Sequence, residues 1–168
     1  HGPDQFSGWA SLGRIQAGLG QTTAAMDSLH RAIALQPEAV AEMDLLCTLL
    51  LPQRLPEQLL TWARRILVLT PGHLMGHIHA GQALNMLRQF DAALLHIEAA
   101  EALGTANANY WCLRAGVLHS LRRLPEAMAA YQAALRIEPA HLTALVKQSE
   151  VACALGQQAC RQGFSVLY

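Results

Sequence analysis

Charge is scarce in this 168-residue chain. Only 14% of the residues are charged, and twelve basic side chains balance twelve acidic ones. With zero net charge and no Lys/Arg block longer than two, the sequence lacks the electrostatic footprint of a nucleic-acid binder. Lysine is nearly absent: Lys147 is the one lysine beside eleven arginines, a bias typical of a GC-rich bacterial genome. Aromatics make up 5% while Ala and Leu dominate, which argues against a β-sandwich and for close-packed helices. The four cysteines form no CxxC pair and no dense framework, so neither a disulfide scaffold nor a thiolate metal site is expected. Reduced thiols are the default, and with them a cytoplasmic bacterial setting is favoured. Long apolar runs are missing too. The stretch Met43 to Leu51 contains Asp44, stops at Pro52, and falls far short of the ~20 residues a membrane-spanning helix needs, so no membrane insertion is expected. No secretory signal opens the chain, but it begins with His1 rather than Met, so the compartment stays open. What is plentiful is apolar material, at 52%, enough for a continuous core.

The core residues fall on a ruler of 34 residues. Gly13, Cys47, Gly81, Ala115 and Ser149 form one column of small side chains, of the kind that lets two helices cross closely. Ala25, Leu59, Ala93 and Ala127 form a second, and Ala32, Ile66, Ala100 and Ala134 a third. Leu35, Leu69, Leu103 and Ile137 form an aliphatic fourth. Pro37, Pro71 and Pro139 share a fifth, broken by Thr105, where each proline ends one helix and opens the next. Gly20 and Gly156 mark a mid-repeat turn suited to left-handed backbone, and Arg54, Arg88 and Arg122 hold the same slot. This pattern predicts helices over about 5–18, 22–35, 38–51, 56–69, 73–86, 90–103, 107–120, 124–137 and 141–155.

Residues 6–39 contain Trp9, Leu12, Gly13, Ala25, Leu29 and Pro37, and residues 108–141 contain Trp111, Ala115, Ala127, Tyr131 and Pro139. At those spacings the segments resemble the tetratricopeptide repeat, although Gln16 fills one of its aromatic slots. Repeats 40–73 and 74–107 match more weakly but keep phase. The resemblance implies an all-α, right-handed α-solenoid of antiparallel helix hairpins. It also implies one domain over 1–168, with a capping helix at 142–155 and a tail from 156 to 168. Phe164, Val166, Leu167 and Tyr168 make that tail apolar, as a partner helix or the start of a following domain would be.

By the same resemblance, the first helix of each hairpin lines a concave surface. The residues assigned to it are Arg14, Asp44, Met75, Ile78, His79, Gln82, Asn85, Met86, Asn109, Cys112, His119, Lys147 and Glu150, with Ser7, Ala10, Leu45 and Val146 between them. Adaptable Met and Ile side chains suit an apolar ligand patch, and the amides of Gln82, Asn85 and Asn109 suit a peptide backbone. Two specialisations of the family are missing. The places of a chaperone carboxylate clamp hold Ala10, Arg14, Leu45, Met75 and His79, with one permanent cation among them. The column of a glycosyltransferase asparagine ladder reads Ser11, Leu45, His79, Leu113, Lys147.

No catalytic constellation emerges. Cys112 and His119 are two helical turns apart, roughly 10 Å, too far for a nucleophile and its base. His73 and His77 share a helix face but offer only two ligands, and His79 points away, so no metal or cofactor is expected. Cys153 and Cys160 could bridge only if the chain turns back at Gly156; bridged and reduced forms both stand. Arg114 and Glu101 each break an apolar column at the same junction, and the cost of an unpaired buried charge predicts that they pair inside the array, with Glu98 as the other acceptor. The expected function is non-enzymatic protein–protein interaction through an extended peptide or a partner helix. The alternatives are a substrate-recruitment module of a larger bacterial enzyme, such as a glycosyltransferase or hydroxylase, or a secretion or assembly chaperone. Repeat ends or the apolar tail could also dock on a second copy, forming a homo-oligomer.

Overall fold

The computed structural model describes residues 3–104 and 107–165, with side-chain environments for 5–104 and 107–156. It is helical throughout: α1 (Pro3–Gly18), α2 (Thr22–Leu35), α3 (Val40–Gln53), α4 (Pro56–Leu69), α5 (Leu74–Met86), α6 (Phe90–Ala102), α7 (Ala108–Ser120), α8 (Leu124–Ile137) and α9 (Leu142–Ser165). The chain divides into two compact units, His1–Leu87 and Arg88–Tyr168. The division falls inside the repeat expected at 74–107, so its two helices belong to different units.

In the first unit α1 pairs with α2 and α3 with α4, while α5 packs on α4 and reaches α3. In the second, α7 packs on α6 and α8, and α9 lies against α8 and α7. The ruler explains the cores. Ala25, Leu59, Ala93 and Ala127 are fully buried, and so are Ala32, Ile66, Ala100 and Ala134. Gly13 is small because it has to be: a Cβ there would lie 2.9 Å from Leu29 Cγ of α2. Ser149 has the same register but is exposed, since among the described residues no second helix follows α9 to cover it. The Leu35, Leu69, Leu103 and Ile137 column is 38–50% exposed. It marks helix ends rather than core.

Turn chemistry follows the same register. Arg54, Arg88 and Arg122 adopt φ of 54°, 61° and 62°, in the slot where Gly20 has 73°. Three arginines therefore accept the left-handed conformation that costs an L residue about 1–2 kcal/mol. A second column escapes the sequence reading: His73, Asn107 and His141 stand 34 apart, each just before a first helix. Their side chains accept from the backbone N–H groups of Gly76, Tyr110 and Ala144 at 3.0, 2.8 and 3.2 Å. They are N-caps, which satisfy a donor every helix start leaves open.

Gln16, in the aromatic slot, accepts a 2.7 Å hydrogen bond from the buried Ser28 hydroxyl. The expected end of the last helix at 155 is corrected. α9 runs through Gly156 without a turn, and that glycine is not among those with positive φ. Cys153 and Cys160 are thus seven residues apart on one helix, a rise of roughly 10 Å against the ~7 Å limit for a disulfide. The side chains of the tail, Phe164 and Val166 to Tyr168 included, lie outside the described residues.

Candidate functional site

In the first unit the candidate face is built by α1, α3 and α5. Arg14 does not stand free in it. Its Nη1 donates to Glu42 Oε1 at 3.1 Å, and Glu42 is only 6% exposed. A carboxylate that deep requires its cation, so Arg14 is first a structural partner that ties α1 to α3. Glu42 was not singled out in the sequence, since no spacing rule within a helix joins it to Arg14, 28 residues away.

His79, assigned to the open face, is 1% exposed. Its Nε2 lies 3.2 Å from Asp44 Oδ1, within ion-pair range, but off the hydrogen-bond axis, so neither atom has a hydrogen-bond partner. Its Nδ1 is 3.4 Å from Gln82 Oε1. The imidazole thus stitches α3 to α5 beneath the surface. Cys47 sits near Asp44; burial first, and the Asp44 charge second, push its thiol up to about 12. What remains accessible on α5 is Met75, Ile78, Gln82, Asn85 and Met86, all partly or well exposed, with Asp44 and Thr48 beside them on α3. His73 Nδ1 accepts from the Gly76 N–H as the cap of α5, and His77 Nε2 lies 3.0 Å from Pro71 O. Among the described residues no group of three or more metal-binding side chains occurs.

In the second unit, Glu101 lies 3.1 Å from Arg114 Nη1 and accepts from the Tyr110 hydroxyl at 3.0 Å. That hydroxyl also reaches Ile97 O at 3.2 Å. Burial, then the bond to Glu101, raises the Tyr110 phenol. The expected interior setting is corrected: the Arg114 and Glu101 side chains are 25% and 39% exposed, and the guanidinium also covers the Trp111 ring. Lys147 and Glu150 pair with one another at 2.8 Å on α9. His119 is half-buried beside an open depression of about 380 Å³ that it shares with Arg88, Phe90, Ser120 and Arg122. Asn109 and Cys112 meet His141, which the sequence reading did not single out: Cys112 Sγ is 3.6 Å from His141 Nδ1, and Asn109 Oδ1 is 3.0 Å from Nε2. The 34-residue ruler could have found His141 through His73 and Asn107. No helix among the described residues is long and apolar enough to cross a membrane.

Comparison with known proteins places the architecture. Residues 6–38 and 108–141 match the tetratricopeptide repeat family. A search of curated proteins finds no significant match. Among solved structures, MamA from Desulfovibrio magneticus RS-1 superposes with a TM-score of 0.82 at 17% identity, covering 98% of this chain and 94% of that one. YrrB, described as a TPR protein with an unusual peptide-binding site, gives 0.75 at 18%, covering 86% and 74%. A thermophilic TPR protein of Thermus thermophilus gives 0.68 at 23%, covering 86% and 80%. At these identities the likeness establishes a shared all-α solenoid fold.

Proposed function

From a chain whose matched repeats belong to the tetratricopeptide family, we propose a non-enzymatic scaffold that binds an extended peptide or a helix of another protein on the first-helix face of residues 1–87. The observation that carries this reading is the contrast between the two sides of α5. Gly76, His79, Ala80 and Ala83 are buried, whereas Ile78, Gln82, Asn85 and Met86 stay partly open along the other side. Apolar side chains alternating with amides offer a ligand both surface to bury and groups to pair with its backbone. The His79–Asp44 contact beneath holds α5 on α3, which reduces the ordering cost of binding. YrrB is described as having a peptide-binding site, and on a shared fold that supports the same class of ligand here.

The test compares the parent chain with the double variant Ile78→Asp, Gln82→Ala in pull-downs, followed by titration of the captured partner. Both side chains are partly open, so melting should change little. Loss of central contacts should weaken binding by at least tenfold, an effect of about 1.4 kcal/mol or more. Unchanged capture would remove the interface from this face.

A further inference from the structure

The left-handed slot of the 34-residue register holds arginine twice in the second unit. Arg88 and Arg122 sit there at φ of 61° and 62°, where glycine fits freely and a longer side chain meets a steric cost. Side chains kept in that region against its cost cluster at ligand clamps. Closing the end of α7 does not require the Arg122 side chain. The backbone N–H groups of Leu121, Arg122 and Arg123 already donate to Val117 O, His119 O and Leu118 O at 3.0, 3.0 and 2.9 Å. Nor are the two guanidiniums spent on carboxylates. Arg123, the next residue, holds Glu126 through two bonds of 2.7 and 2.6 Å, whereas among the described residues Arg88 and Arg122 form no ion pair and no side-chain hydrogen bond.

Both arginines instead line one open depression of about 380 Å³, together with Phe90, His119 and Ser120. The Arg88 guanidinium lies over the Phe90 ring, 5.8 Å from its centroid, a contact that holds it in place at the rim. Ser120 Oγ gives its one proton to Gly116 O at 3.0 Å, so it offers the depression no donor. The His119 ring has no hydrogen-bond partner among the described residues, and its N–H adds a third donor group. Asp91 is close enough for its charge to reach Arg123, but it does not line the depression. The result is two permanent cations, a ring N–H and an aromatic wall around one opening. A carboxylate carries charge for one guanidinium. A phosphate monoester approaches two negative charges and has three acceptor oxygens, enough for both.

We infer that Arg88 and Arg122 form a binding site for the phosphate group of a monoester, with its ester substituent against Phe90 and His119 as a further donor. The group has the same chemistry on a small organic phosphate and on a phosphorylated side chain of another protein. The site lies within Arg88–Tyr168 and does not depend on the interaction face of residues 1–87.

The experiment titrates the intact chain calorimetrically with phenyl phosphate, with benzoate as the monoanionic counterpart, and with one tyrosine peptide in phosphorylated and unphosphorylated forms. Arg122→Gly removes a guanidinium and relieves the backbone at the same time, so lost binding would not come from lost folding, and melting curves check this. Arg54→Gly makes the same change of charge and backbone in the first unit. Phenyl phosphate should bind one to one, and benzoate at least about tenfold more weakly. Arg122→Gly should weaken phenyl phosphate by at least about tenfold, and Arg54→Gly should leave it within about twofold, because a charge outside the depression is screened. A phosphopeptide that binds more tightly than phenyl phosphate, with its unphosphorylated form weaker, places the group on a protein partner. Equal affinity of the two phosphates places it on a small molecule, and either result sustains the site. Absence of binding by both phosphates, equal affinity for benzoate, or equal losses in Arg122→Gly and Arg54→Gly overturns the inference.

Discussion

At the scale of single residues, the 34-residue register fixes backbone state as well as side chain. Arg54 and Arg122 occupy left-handed backbone that glycine adopts freely. Replacing each with glycine relieves about 1–2 kcal/mol of steric cost but adds about 0.4–1 kcal/mol of unfolded-chain entropy. The first effect wins, so Arg54→Gly with Arg122→Gly should raise stability by about 1–2 kcal/mol in urea titration, the two sites being independent. Arg88 is a poorer choice because its guanidinium rests on the Phe90 ring. Cys47 makes a prediction about pH. Its folded value of about 12 exceeds the ordinary 9.0, so in alkali the unfolded chain loses the proton first. Its contribution is complete below pH 9.0 and is lost as pH rises toward 12. Between about pH 9 and 10 the parent should lose roughly 1 kcal/mol more than Cys47→Ala in equilibrium unfolding. The comparison belongs below pH 10, because Tyr131, also held up to about 12 by burial, would add to the slope above its ordinary 10.0.

At the scale of elements, one column carries two different physics. Gly13 of α1 faces the buried Leu29 of α2, and an added methyl would have to displace that side chain's Cγ and Cδ2, at 2.9 and 3.0 Å. Leu29 is fully buried and has little room to give, so Gly13→Ala should cost about 1–3 kcal/mol by overpacking. Ser149 of α9 shares the register but faces solvent. Ser149→Ala should change stability by no more than about 0.5 kcal/mol, and thermal melts of the two variants give the contrast directly. The ion pairs divide in the same way. Arg14–Glu42 has one partner buried and locks two helices, whereas Lys147–Glu150 is half-exposed on both sides and contributes little, as exposed pairs do.

At the scale of the whole molecule, the chain is a string of local packings. In a repeat array each hairpin is stabilised mainly by its neighbours, so a local defect spreads unevenly. The two compact units give that expectation a boundary at Leu87 and Arg88. In hydrogen exchange read by mass spectrometry, Gly13→Ala should lower amide protection in α1 to α4 well before it lowers protection in α7 and α8. Uniform loss across both units would mean that the chain opens as one cooperative body.

The sequence by itself determined the helices, the pairing of α1 with α2, α3 with α4 and α7 with α8, and the buried columns, because each of those depends on residues within one repeat or on the next copy of the same register. Repetition wrote that information four times over, so even Gln16 in an aromatic slot did not obscure it. Burial at the array's edges was not legible. Ser149, the Leu35 column and the run of α9 past Gly156 all depend on which neighbours are present, and a column carries no mark of that. Nor was the polar chemistry. The pairings Arg14–Glu42, His79–Asp44 and Cys112–His141–Asn109 join residues 28 to 35 positions apart, and no spacing rule within a helix brings them together. Only the stacking of one first helix on the next decided which of these side chains face solvent and which face each other.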